Sequence, residues 1–157
     1  MHWGTPTIFD ADPLEGHVLH QVIETALAPF SVYGSSQARV EVKGPQVWLN
    51  SNTAVTMTLA FHELATNAAK YGALSTNKGR VNIFWEAQPV GKPQEILLQW
   101  REGGGPVVDA PSRKGFGTML IEKVLAYEAE GEAKLEFLPT GVAFVFRLPL
   151  SSNVQLS

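Results

Sequence analysis

"FHELATNAAKYGALS", residues 61 to 75, sets His62, Glu63, Asn67 and Lys70 among Ala and Leu on one apparent helix. Met57, Phe61, Leu64, Ala68 and Tyr71 recur at intervals of four, three, four and three, which predicts an apolar stripe about 100° wide facing a core. Glu63, Asn67 and Lys70 recur at four and three, forming a second stripe centred roughly 100° around the same cylinder. One side of this helix packs while its neighbour presents donors, acceptors and charge. Asn50, Ser51 and Asn52 are candidate N-caps, and Gly72 is a candidate stop.

Upstream, Leu14, Val18, Val22, Ile23 and Leu27 follow helical spacing between Leu14 and Phe30, with Pro29 discouraging continuation. "ARVEVKGPQVWLN", residues 38 to 50, alternates on both sides of a "KGP" turn and reads as a hairpin. Downstream, "RVNIFWEA" and "EILLQWRE" read as strands separated by "QPVGKP". "GGGPVVDAPSRKGFG", residues 103 to 117, is a loop, and "TMLIEKVLAYEAEG" after it is a third helix ending near Gly131. "AKLEFLPTGVAFVFRLPL" closes as two strands around "PTG", the second apolar enough for a sheet interior. Helices alternate with antiparallel strand pairs, so the expected class is α+β, with one mostly antiparallel sheet covered on one face by about three helices. The expected organisation is a lead-in over residues 1–13, one domain over 14–150, and a frayed polar tail, "SSNVQLS", over 151–157.

A chain of 157 residues suits one domain with a real core. Its 45% hydrophobic and 17% charged residues place it with globular rather than disordered chains. Having no Cys, it has no disulfide framework, thiolate zinc site or thiol nucleophile, which fits a reducing compartment such as the cytoplasm. A net charge of -3 without a long basic run argues against a nucleic-acid partner. No stretch reaches the roughly 18 apolar residues of a membrane span, and the N-terminus has no signal-peptide pattern.

In "EILLQWRE" the side chains of Ile96, Leu98, Trp100 and Glu102 share a face, so the acid at the strand end points inward. A carboxylate beside an apolar face is costly unless donors satisfy it; an ion pair, a solvated strand end and a ligand site all remain open from spacing alone. Gly103, Gly104 and Gly105 let the backbone approach a ligand or take positive φ, although turns alone also account for them. Gly115 and Gly117 stand just before the third helix, whose free N–H groups suit an anion such as phosphate, and Arg113 and Lys114 add positive charge there. A lone G-x-G before a helix is a weak signal. With oxygens at Glu63 and Asn67 and a cation at Lys70, the set suits a magnesium nucleotide, because Mg²⁺ takes few protein oxygens beside water and phosphate.

"HELATNAAKYGALS", "WREGGGP" and "GFGTMLIEKV" resemble, in this order and at these separations, the N, G1 and G2 boxes of HWE-type sensor histidine kinases. The His and the Trp-x-Glu that give that family its name correspond to His62, Trp100 and Glu102. The resemblance runs from about Leu14 to Leu150 and implies the Bergerat ATP-binding fold, a two-layer α/β sandwich. It further implies that Asn67 holds Mg²⁺ on the phosphates of ATP and that Lys70 helps to neutralise them. Glu63 stands where related ATPases keep a water-activating acid and in a kinase would order the magnesium waters or the nucleophile. Glu102 would read the adenine amino group, and Gly104 would let the base approach. Gly115 and Gly117 would border a lid that meets the phosphates together with Thr118. Tyr71 and Phe116 fall within the same boxes and join the expected ATP contacts, as does Arg113, whose charge stands just before the third box. His62, outside the core stripe, would support nucleotide binding or an interdomain contact rather than accept phosphate.

In that family a dimerising helical hairpin carries the phosphoacceptor His, and a response regulator receives the phosphoryl group. Too few residues precede Leu14 for the hairpin, and His17 and His20, expected on the first helix, lack the acceptor motif; a metal pair or a solvated helix face accounts for them. The chain thus resembles an isolated catalytic and ATP-binding part, with the acceptor domain supplied in cis or trans. A regulatory ATP-binding protein of the same fold, akin to anti-sigma serine kinases and acting through a protein partner, is the alternative.

Overall fold

The computed structural model describes residues 16–30, 39–88, 94–106, 123, 131–138, 141–151 and 153–156. Strand β1 (His17–Val18) leads into helix α1 (Leu19–Leu27), and a short 3-10 turn at Ala28–Phe30 follows. Leu19, Val22, Ile23, Ala26 and Leu27 are buried, as their spacing predicts. The helix does not reach back through Val18, because His17 and Val18 pair with Leu49 and Trp48 in a sheet.

The expected hairpin around "KGP" is not one. Strand β2 (Val40–Lys43) runs parallel to β4 (Arg80–Gln88), whereas β3 (Val47–Leu49) lies antiparallel between β1 and β8 (Val154–Leu156). The intervening residues carry the chain from one sheet to the other across the buried Trp85. Its indole N–H donates to the Pro45 carbonyl at 2.7 Å, and a Cβ added at Gly44 would stand 2.2 Å from the ring. The single sheet predicted from the sequence is therefore two, of three and five strands.

The larger sheet has the order β2-β4-β5-β7-β6, with β5 (Glu95–Gly103), β6 (Glu132–Leu138) and β7 (Gly141–Pro149); apart from the β2–β4 pair its neighbours are antiparallel. Trp100 sits opposite Ile83 and Phe144, and Leu98 opposite Trp85 and Phe146. All six are buried and form the inner face. Helix α2 (Ser51–Tyr71) lays Phe61 on that face, its ring 6.3 Å from Trp100 and 5.7 Å from Phe146. Glu41, Lys43, Asn82, Glu86, Arg101 and Arg147 alternate with the buried set and are exposed on the other face. The result is the expected two-layer α/β arrangement, a mixed, mostly antiparallel sheet with helices on one side. The third predicted helix lies outside the described residues except at Lys123, which is helical.

Two expectations near the ends of α2 change. Tyr71, the last member of the predicted apolar stripe, is 52% exposed; the buried place at that end goes to Ala73, 2% exposed, as the chain turns off at Gly72. The polar end is not frayed over Val154–Leu156, whose Val154 is fully buried, because β3 offers a free edge to pair with. It also fastens the start of α2. The Asn50 side-chain oxygen caps the helix by accepting from the Thr53 N–H at 2.9 Å, while its amide Nδ2 donates to Asn153 Oδ1 at 2.7 Å and its backbone N–H to the Asn153 carbonyl at 2.9 Å. Asn50→Ala removes the cap and one anchor of the C-terminal strand, and is expected to cost about 1–2 kcal/mol, read as a lower urea midpoint. Among the described residues, no helix is long and apolar enough to cross a membrane.

Candidate functional site

Period-2 alternation brings Glu102 to the inner face at the end of β5, where it is 6% exposed. Two N–H groups of the described residues donate to the carboxylate. The Ala73 amide donates to Oε1 at 3.0 Å, and the Trp100 indole Nε1–H donates to Oε2 at 3.0 Å. The second bond explains a Trp two residues before a Glu: same-face neighbours on a strand can meet, and here the larger donates to the smaller. The first bond joins β5 to the end of α2, because Ala73 follows the helix C-cap, whose Gly72 N–H bonds to the Ala68 carbonyl at 3.0 Å.

Of the three glycines after Glu102, Gly104 and Gly105 meet the chain's own backbone. Gly104 takes φ +74°, in the left-handed region, and a Cβ there would stand 2.8 Å from the Lys78 carbonyl. A Cβ on Gly105 would reach within 2.7 Å of Ala73 Cα, so this strand end and the turn after α2 touch backbone to backbone. Gly103 has open space around its Cβ position.

Along α2, Glu63 and Asn67 are half-buried, while His62 and Lys70 are exposed, as is Tyr71. Four residues of helix separate Asn67 from Tyr71, an axial rise of about 6 Å, and the chain then turns off at Gly72 into Ala73, which bonds the Glu102 carboxylate. His62 lies off the apolar stripe, its ring 5.6 Å from that of Phe30. A shallow cavity of about 200 Å³ touches Glu102 and Gly103 and is lined also by Arg80 and by Asn82 and Arg101, which stand on the sheet face away from α2; Glu63, Asn67 and Lys70 are not among its lining residues. Arg113, Gly115, Phe116, Gly117 and Thr118, expected among the ATP contacts, lie outside the described residues.

The two N-terminal histidines do not form a helical pair. His17 is on β1, and His20 on α1 makes an edge-to-face contact with Trp85 at 4.7 Å. Among the described residues, no group of three or more His, Cys, Asp or Glu could hold a metal. A magnesium nucleotide asks for less, since a single side-chain oxygen beside water and phosphate suffices, and the half-buried Asn67 fits that requirement.

The chain is 37% identical over 139 residues to a blue-light-activated histidine kinase of Brucella ovis, a match covering 88% of this chain and 28% of that protein. Over most of its length the chain is thus similar to one segment of a histidine kinase. It spans little more than a quarter of the length of the curated relatives it matches. Histidine kinase structures share its fold. The ATP-binding domain of PrrB from Mycobacterium tuberculosis superposes with a TM-score of 0.57 at 18% identity, over 86% of this chain and 96% of that one. The histidine kinase ThkA, in complex with the response regulator TrrA, gives a TM-score of 0.60 at 17% identity, over 87% of this chain and 41% of that one. No protein-family model matches the chain. Within this histidine kinase fold, the carboxylate predicted at residue 102 is a buried group at the junction of α2 and β5. Its two donors were harder to foresee: the Trp100 indole follows from strand alternation, but the Ala73 donor is a backbone amide with no signature in sequence.

Proposed function

We propose that the chain is the catalytic and ATP-binding domain of an HWE-type histidine kinase, presenting Mg-ATP to a histidine on a dimerisation domain in two-component signalling. In this reading Glu102 accepts from the adenine amino group, Gly104 leaves room for the base, and Asn67 ligates Mg²⁺. Lys70 and Arg113 lower the charge of the phosphates, with the amides around Gly115, Phe116, Gly117 and Thr118 around them. His62 and Tyr71 flank the nucleotide, and Glu63 orders water or the incoming imidazole. The acceptor nitrogen attacks the γ-phosphorus, the bond to the bridging oxygen breaks, ADP leaves and the ring loses its proton; a response regulator then receives the phosphoryl group. Such catalysis is mostly positioning and charge neutralisation.

The observation that supports this most is the bond from the Ala73 amide to the Glu102 carboxylate. It ties the turn that follows the helix carrying Asn67 to the strand carrying Trp100 and Glu102, which supports a site shared by these two elements. Calorimetric titration with ATP, in Mg²⁺ and in EDTA, tests it. The unaltered chain should bind more tightly in Mg²⁺. Asn67→Ala should lose about tenfold in Mg²⁺ and show little difference between the two conditions. Absence of ATP binding would remove the kinase reading, and an unchanged Asn67→Ala affinity would remove its metal role.

A further inference from the structure

We propose that Arg39 is a positioning residue for purine recognition, acting on Glu102 through the turn that follows α2. The inference rests on the nucleotide reading of Glu102. Arg39 lies just before β2, far in sequence from every motif residue, and its side chain is half-buried. Its guanidinium donates to three carbonyls of one turn: Nε to Gly79 at 3.1 Å, and Nη2 to Ala73 at 3.1 Å and to Thr76. These are the start, middle and end of the connection between α2 and β4.

Ala73 is the residue through which this matters. Its carbonyl is held by Arg39 while its N–H holds Glu102 Oε1. The guanidinium thus sets the orientation of the residue that orients the carboxylate. Three carbonyl oxygens facing one another repel unless a cation with several donors stands between them. The planar fork of Arg supplies those donors in fixed directions, which the point charge of Lys does not. The parallel pairing of β2 with β4 brings Arg39 there, and the Val81 N–H bond to the Arg39 carbonyl at 2.9 Å fixes its backbone beside the turn.

A carboxylate held in place accepts from the amino group of adenine and opposes the carbonyl oxygen that guanine carries at the same position. Loss of its alignment should therefore weaken ATP binding while leaving GTP binding unchanged or improved. A clamp that only stabilised the fold would lower the unfolding midpoint and leave the ratio of the two affinities alone.

The test uses Arg39→Lys and Arg39→Ala, each compared with the unaltered chain at a temperature where far-UV circular dichroism shows it folded. Dissociation constants for Mg-ATP and Mg-GTP, and hydrogen exchange of the Ala73 amide without nucleotide, are measured. The expected result is an ATP affinity about tenfold lower in both variants, as for one lost charge-assisted hydrogen bond, with a narrower ATP-over-GTP preference. Faster exchange at Ala73 should accompany it, and millimolar methylguanidinium should partly restore Arg39→Ala. An unchanged affinity ratio in folded variants, or equal weakening for both nucleotides, would overturn the role of Arg39 alone. If the unaltered chain binds neither nucleotide, the kinase reading fails first and this inference falls with it. Should Arg39→Ala fail to fold, Arg39→Lys decides, since it keeps the charge and loses only the fork.

Discussion

Replacing Glu102 by Gln is expected to damage stability and nucleotide binding together. Both carboxylate oxygens accept from fixed N–H donors, Ala73 on one side and Trp100 on the other. An amide has one oxygen and one NH₂, so whichever way Gln is turned, a donor faces a donor. One buried N–H then loses its partner, at a cost of about 1–3 kcal/mol. For a chain of this length that lowers the thermal midpoint by about 2–4 °C for each kcal/mol. In the proposed function the same substitution should weaken ATP by about tenfold or more, because an NH₂ presented to the adenine amino group repels it. Glu102→Ala should bind ATP as poorly, having no acceptor at all. Calorimetry and thermal melts on the same samples read both effects. A Gln variant as stable as the unaltered chain would contradict the two-donor geometry, and one with full ATP affinity would remove Glu102 from base recognition.

Phe61→Ala is expected to be the most destabilising change in the core. The ring is fully buried between Trp100 and Phe146, at centroid distances of 6.3 and 5.7 Å, and is the aromatic contact from α2 to the sheet. Truncation loses the transfer free energy of the ring and leaves a cavity that the rigid sheet does not fill, about 3–5 kcal/mol in all. Set against the 5–15 kcal/mol typical of a whole domain, this leaves a marginal protein. Because Trp100 forms one wall of that cavity and also donates to Glu102, the loss should reach the site as a weaker hold on the carboxylate. Leu59→Ala on the solvent side of the same helix, where Leu59 is 61% exposed, should stay within about 0.5 kcal/mol of the unaltered chain. Urea denaturation of the three proteins makes the comparison. Similar midpoints for Phe61→Ala and Leu59→Ala would show that the layer contact is wrong.

Much of the site could be read from spacing. The stripe from Met57 to Ala68 is buried where its period puts it, Asn50 caps the helix it precedes, and alternation from Ile96 to Glu102 turns the carboxylate inward. The failures share a cause. Tyr71 continues the period of the stripe, but the chain leaves the helix at Gly72 and Ala73 takes the buried place. The "KGP" segment has turn chemistry and strand-like flanks, yet those flanks belong to different sheets because the chain crosses against Trp85. "SSNVQLS" is polar enough to fray, but the edge of β3 is available to Val154–Leu156.

The sequence by itself determined which face of each element is apolar and which polar residues lie beside it, since side-chain direction follows from the 3.6- and 2-residue periods of the backbone. It also carried, through three spaced motifs, the resemblance to histidine kinases that the relatives share. Only the tertiary structure decided which strand takes which partner, which donors satisfy Glu102, and that Arg39 braces the turn from which one of those donors comes. Those choices are made between segments tens of residues apart, often through backbone N–H and C=O groups that nearly every residue possesses, so they leave no mark in local pattern and appear only when the chain is folded.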